Sequence, residues 1–149
     1  MLMPIVQTLC LKVTVSIMLL LVDVGNTQTE IGVYSGKGED GFYRATWRIS
    51  TEKDDTADNI CARLYPLFSV SGIDMSDISR AAVASVVPSL AISWQHAAKK
   101  LWGAEAILWS AAIASDNGLF EADYPHPYEI GSDRVADSIA ARKLLGAPC

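Results

Sequence analysis

The chain has 149 residues, half of them hydrophobic, and a formal net charge of −5, which suffices for one domain around one buried core. Its 12 lysines and arginines are scattered rather than gathered into a basic patch, which argues against a nucleic-acid partner. Cys10, Cys61 and Cys149 are odd in number and lack metal-ligand spacing, so they fit the reduced thiols of a cytoplasmic protein better than a disulfide frame.

Lys12 followed by the apolar run Val13 to Val22 has the outline of a secretory signal, but no small-residue cleavage site follows at once and Asp23 ends the run. Lys12 also interrupts the roughly 18 apolar residues a membrane span requires, so neither a signal nor an anchor is expected.

The run Met18 to Val22 ends at Asp23, turns through Gly25 and Asn26, and returns as alternating Thr29, Ile31 and Val33. This predicts a buried strand, a tight turn and an antiparallel partner. A Gly-Asn pair tolerates positive φ, so backbone N–H groups are expected to converge at the turn, with the Asp23 carboxylate and the hydroxyls of Thr27 and Thr29 beside them. A polyphosphate with its magnesium suits that set, Asp23 being the metal-facing carboxylate; an ordinary turn whose Asp and Thr cap backbone groups suits it equally well.

Gly36 to Gly41 reads as a polar connection and Phe42 to Ser50 as a third strand, with Tyr43, Ala45 and Trp47 on one side and Arg44, Thr46 and Arg48 on the other. Trp47 is expected in the core. Asp54 and Asp55 offer acceptors at the start of a helix whose stripe is Ala57, Ile60, Cys61, Leu64 and Phe68. Pro66 is expected to bend or shorten that helix, at a cost of roughly 3 kcal/mol, and Gly72 to end it. Ala81 to Val87, apolar on both faces, predicts a central strand. Pro88 then opens a helix with Leu90, Trp94, Ala97, Ala98 and Leu101 inward, Lys99 and Lys100 near its end, and Gly103 closing it. His96 on that helix is expected to be partly buried, and Glu105 to Ser110 to form a further strand. Three antiparallel strands followed by helix, strand, helix, strand and helix is the plan of an α/β, ribonuclease H-like domain with a mixed sheet.

Pro125 and Pro127 keep the residues before them out of helix. A last helix is expected to open near Gly131-Ser132-Asp133-Arg134, with Val135, Ile139, Ala140 and Leu144 inward. An acid in a first helical turn is common decoration worth a few tenths to about 1 kcal/mol through the dipole. The same placement also allows Asp133 to face a substrate hydroxyl while Gly131 and Ser132 offer backbone N–H groups to a carboxylate.

Asp23-Val24-Gly25-Asn26-Thr27 with Thr29, then Trp47 to Thr51, Ser85-Val86-Val87-Pro88 and Gly131-Ser132-Asp133-Arg134-Val135 stand in one order along the chain. Together they resemble the type III pantothenate kinases, in the superfamily of acetate kinase, sugar kinases, heat-shock ATPases and actin. The resemblance spans residues 18 to 146. It implies one half of an actin-like ATPase fold and ATP-dependent phosphorylation of pantothenate to 4'-phosphopantothenate, the first step of coenzyme A biosynthesis. It further implies ATP binding by Asp23, Val24, Gly25, Asn26, Thr27, Gln28, Thr29 and Glu30, and Asp133 as the catalytic proton acceptor. Tyr124, Gly131, Ser132, Asp133 and Arg134 would bind pantothenate. Magnesium, a potassium or ammonium ion, a homodimer and a cytoplasmic location come with the same resemblance.

Family members are nearly twice as long, with a second ribonuclease H-like domain that carries another phosphate loop and the monovalent-cation ligand. Residues 18 to 149 are therefore expected to be the first domain of a truncated chain, residues 1 to 17 a non-family extension, and the chain alone to turn over poorly or not at all. Asp116-Asn117 stands where the family has Lys-Thr, adding negative charge near an anionic substrate, and His126 where it has Asn. A catalytically inactive relic or regulatory binding module of the same fold is the rival expectation.

Overall fold

Apolar side chains at consecutive positions suit a strand covered on both faces, and the run that begins at Met18 is the central strand of the fold. The computed structural model describes residues 17–36, 41–103, 105–123 and 125–146. Within them β1 (Ile17–Val24), β2 (Gln28–Gly36), β3 (Phe42–Ser50), β4 (Ile78–Ser85) and β5 (Ile107–Trp109) form one sheet in the order β3-β2-β1-β4-β5. β1 runs antiparallel to β2 and parallel to β4; β2–β3 is antiparallel and β4–β5 parallel. This is the mixed, ribonuclease H-like sheet that the element order predicts.

Leu20, Val22 and Val24 point to one face, where α1 (Ala57–Ser71) and α2 (Pro88–Trp102) cover them with Ile60, Leu64, Phe68, Leu90, Trp94 and Ala97. Leu19 and Leu21 point to the other, against α3 (Ala111–Asp116) and α4 (Ser132–Leu145) through Ala111, Ala114, Val135 and Ala136. Phe68, 1% exposed, packs between Trp47 and Trp102 at ring-centroid distances of 5.2 and 6.4 Å, so Trp47 belongs to the core as expected. The six-residue α3 escapes a periodicity reading because it is too short to show a period.

Several local expectations change. The N-cap of α1 is Thr56, whose hydroxyl accepts from Asn59 N–H at 3.3 Å, while Asp55 pairs with Arg63 instead. Replacing Thr56→Ala is expected to cost about 1 kcal/mol, read as a lower urea midpoint with an unchanged slope. Pro66 lies inside α1, which continues to Ser71; the proline is on the solvent side, where water can meet the carbonyl that lost its donor. A bulge between β2 and β3 shifts the register from Val33↔Ala45 to Tyr34↔Tyr43. Tyr43 is thereby moved to the face opposite Ala45 and Trp47, where its ring meets Tyr34 edge-on at 5.5 Å. His96 is exposed rather than half-buried, and Leu144, expected inward, is 59% exposed.

Candidate functional site

β1 and β4 are parallel and end side by side, and their carboxyl ends are where sheets of this kind leave a crevice for ligands. Val86 N–H donates to Val24 O at 3.0 Å, tying the start of α2 to the end of β1. Asp23 sits at this edge on the α4 face, since its neighbours Val22 and Val24 point the other way and its cross-strand partner is Glu30.

The carboxyl of Asp23 is half-buried and held above the ordinary carboxylate range, chiefly by loss of water and then by the negative charges of Asp133, Glu30 and Asp137. Glu30 comes from β2, while Asp133 and Asp137 stand four residues apart on α4 and so share one side of that helix. The acids assigned from sequence to nucleotide and to substrate therefore act on one region from two different elements. Glu30 is itself paired with Arg48 of β3 at 2.5 Å. Arg48 and Asp137 were not among the sequence-assigned site residues; the spacing of Asp137 from Asp133 is the signal that finds it.

The turn is built differently from the expectation. Neither Gly25 nor Asn26 has a positive φ. Gly25 N–H instead donates to Gln28 O at 3.0 Å, and a Cβ at Gly25 would lie 2.9 Å from that same oxygen. Glycine is required here by space, not by backbone angle. Gly25→Ala is accordingly expected to open the turn at a cost of about 1–3 kcal/mol, visible as a lower denaturation midpoint. Asn26, Thr27 and Gln28 are exposed at the tip, whereas the Val24 side chain is buried in the core and leaves only its backbone for a ligand.

Thr29 also departs from expectation. Strand alternation turns it to the face opposite Asp23, where it is 3% exposed and its hydroxyl lies 2.8 Å from that of Thr51. The two hydroxyls and the carboxylate do not converge on one point. A narrow crevice of about 10 Å³ opens on Thr29's side, lined also by Ser50, Glu52, Asp55 and Arg63, and does not include Asp23 or Asp133.

Gly131 is the N-cap of α4, and no side chain caps this helix, so its first-turn N–H groups have no side-chain acceptor. Asp133 folds back over the cap: a Cβ at Gly131 would lie 2.5 Å from Asp133 Oδ1. Ser132 is 8% exposed and Arg134 exposed on the same turn. Tyr124 lies outside the described residues. Asn117, part of the charge-changing Asp116-Asn117 pair, uses its side chain to close α3, Nδ2 donating to Ile113 O at 2.8 Å.

Among the described residues no group of three His, Cys, Asp or Glu side chains is arranged to hold a metal ion. Magnesium that arrives with a nucleotide asks for less, since it keeps waters and phosphate oxygens and takes one or two protein carboxylates. Asp23, a hard oxygen ligand in a negatively charged setting, fits that demand. No helix among the described residues is long and apolar enough to cross a membrane.

A family model described as type III pantothenate kinase matches residues 19–149. A type III pantothenate kinase of Rubrobacter xylanophilus is 34% identical over 131 residues, which cover 88% of this chain and 47% of that protein. The chain thus spans about half the length of this curated relative. Among solved structures, a glycerol dehydratase reactivase is 27% identical over 46% of this chain and 12% of its own, with a TM-score of 0.35. Thermus thermophilus RuvC is 17% identical over 87% of this chain and 97% of its own, with a TM-score of 0.44.

Proposed function

The chain belongs to the type III pantothenate kinase family, and from that premise we propose that it takes part in the ATP-dependent phosphorylation of pantothenate to 4'-phosphopantothenate in coenzyme A biosynthesis. In this reading residues 18–149 supply the first of two ribonuclease H-like domains. The observation that supports it is that the charge of Asp133, on α4, acts on the half-buried carboxyl of Asp23 at the end of β1.

Phosphoryl transfer leaves the protein little covalent chemistry and much positioning. The turn from Asp23 to Glu30 would hold the polyphosphate at its exposed tip, Asn26 to Gln28, the Gly25 N–H being already taken by Gln28 O, and Asp23 would face the magnesium. When bound, that ion spreads the negative charge of the phosphates. Asp133 accepts the hydrogen bond of the pantothenate hydroxyl and aims it at the terminal phosphate, acting as its proton acceptor. The uncapped N–H groups after Gly131, with Arg134, receive the pantothenate carboxylate, and Tyr124 is the remaining substrate contact. The monovalent cation has no ligand assigned in this chain. A homodimer working in the cytoplasm completes the reading.

The test is a single-turnover assay with the purified chain in excess over pantothenate, with magnesium and ATP, read by the mass of the product, beside a titration with MgADP. Slow product formation and nucleotide binding that disappears in Asp23→Asn are expected. A chain that binds neither nucleotide nor pantothenate overturns the proposal, and one that binds nucleotide without ever phosphorylating fits the regulatory module instead.

A further inference from the structure

The segment Trp47 to Thr51 reaches the β1–β2 turn from both faces of the sheet. On the Asp23 face, Arg48 holds Glu30 at 2.5 Å. On the other face, Thr51 makes two contacts: its N–H donates to Thr27 O at 2.9 Å, and its hydroxyl lies 2.8 Å from that of the buried Thr29. The contacts flank the tip residues Thr27 and Gln28, which are themselves exposed. Thr51 is anchored in turn, because Arg63 of α1 reaches the neighbouring Ser50 O at 2.7 Å while also pairing with Asp55. A short turn with exposed polar tips has little packing of its own, so its shape depends on such hydrogen bonds.

We propose that Thr51 is a positioning residue, which locks the β1–β2 turn into the shape it presents to a nucleotide and couples that shape to α1. The hydroxyl matters separately from the N–H. Without it, buried Thr29 keeps a polar atom with no partner in place of the bond, and the start of β2 loses its side-chain tie to the residue that follows β3. The nucleotide part of the inference rests on the function proposed above; the locking of the turn does not.

Amide hydrogen exchange of the full chain, without ligand, separates the two. Thr51→Val keeps the backbone N–H and removes the hydroxyl, and is expected to speed exchange at Gly25 N–H by about tenfold, the size of one lost hydrogen bond. The amides of β1 and β4 at Leu20 to Val22 and Ala81 to Val83 serve as the internal reference and are expected to be unchanged. Thr51→Ser restores the hydroxyl and is expected to restore slow exchange. Equal exchange at the turn in wild type and Thr51→Val overturns the proposal, as does loss of protection spread evenly over β1, β4 and the turn, which marks a merely structural role. A MgADP titration of the same proteins then reads the consequence: several-fold weaker binding in Thr51→Val, rescued in Thr51→Ser. A wild-type chain that binds no MgADP defeats the functional reading, while the exchange result still decides the role of Thr51.

Discussion

Asp23→Asn is expected to raise the thermal midpoint of this protein at neutral pH and, in the same variant, to remove the nucleotide binding proposed for it. The reason lies in what surrounds the carboxylate. Burial is the largest influence on it, and the charges of Asp133, Glu30 and Asp137 add to burial; all four favour the protonated form. Because the folded carboxyl keeps its proton to higher pH than an unfolded one near 3.8, its contribution to stability is complete below that value. It is lost as pH rises through the folded value, so the ionised side chain at neutral pH is a net cost. Asparagine keeps the shape and removes the charge. The stability gain of Asp23→Asn over wild type should therefore be smallest near pH 3.5 and grow toward pH 7, followed by calorimetry or urea denaturation at several pH values. A gain that is flat with pH, or absent at pH 7, contradicts the electrostatic account. The nucleotide arm follows because a neutral amide is a much poorer partner for magnesium than a carboxylate. A destabilising charge at one edge of the fold, together with the expected loss of binding when it is removed, would be the trade-off of a functional position.

The sheet was legible because its signals are local and repeated. Apolar residues at successive positions of β1 and β4, alternation in β2, and the stripes Ile60, Leu64, Phe68 and Leu90, Trp94, Ala97 each report burial directly. That the charge of Asp133 bears on Asp23 is expected only through resemblance, since nothing in their spacing relates residues that far apart in sequence. What the residues alone misjudged were one-residue matters of register. The bulge that moves Tyr43 to the other face leaves no mark in the alternation of Phe42 to Ser50. Thr29 looks like a partner of Asp23 because Asp, Gly, Asn and Thr are turn residues by type, yet the hairpin register puts it opposite Val24 and turns it inward. Gly25 was given the right importance for the wrong cause: the nearby Gln28 carbonyl, which sequence does not reveal, excludes a side chain there.

Asp133→Asn is expected to reduce single-turnover phosphorylation of pantothenate by about 10²–10⁴-fold, the span that a positioned acid–base group contributes. Asparagine can still receive a hydrogen bond from the substrate hydroxyl through its amide oxygen but cannot take its proton, so pantothenate binding should change little while the rate falls. That split between rate and binding separates a catalytic carboxylate from one that only decorates a helix N-terminus. Decoration predicts a loss of a few tenths to about 1 kcal/mol of stability and no change of rate. A second reading needs no turnover. After burial, the charge of Asp133 is the strongest influence that holds the Asp23 carboxyl up. Removing its charge should move the Asp23 carboxyl titration, followed by carbon NMR, down toward 3.8 without reaching it, because burial remains. An Asp23 titration that does not move in Asp133→Asn separates the two carboxylates, and the common site for nucleotide and substrate fails with it. A titration that moves while the rate stays constant keeps the shared crevice and leaves Asp133 a positioning charge in place of the proton acceptor.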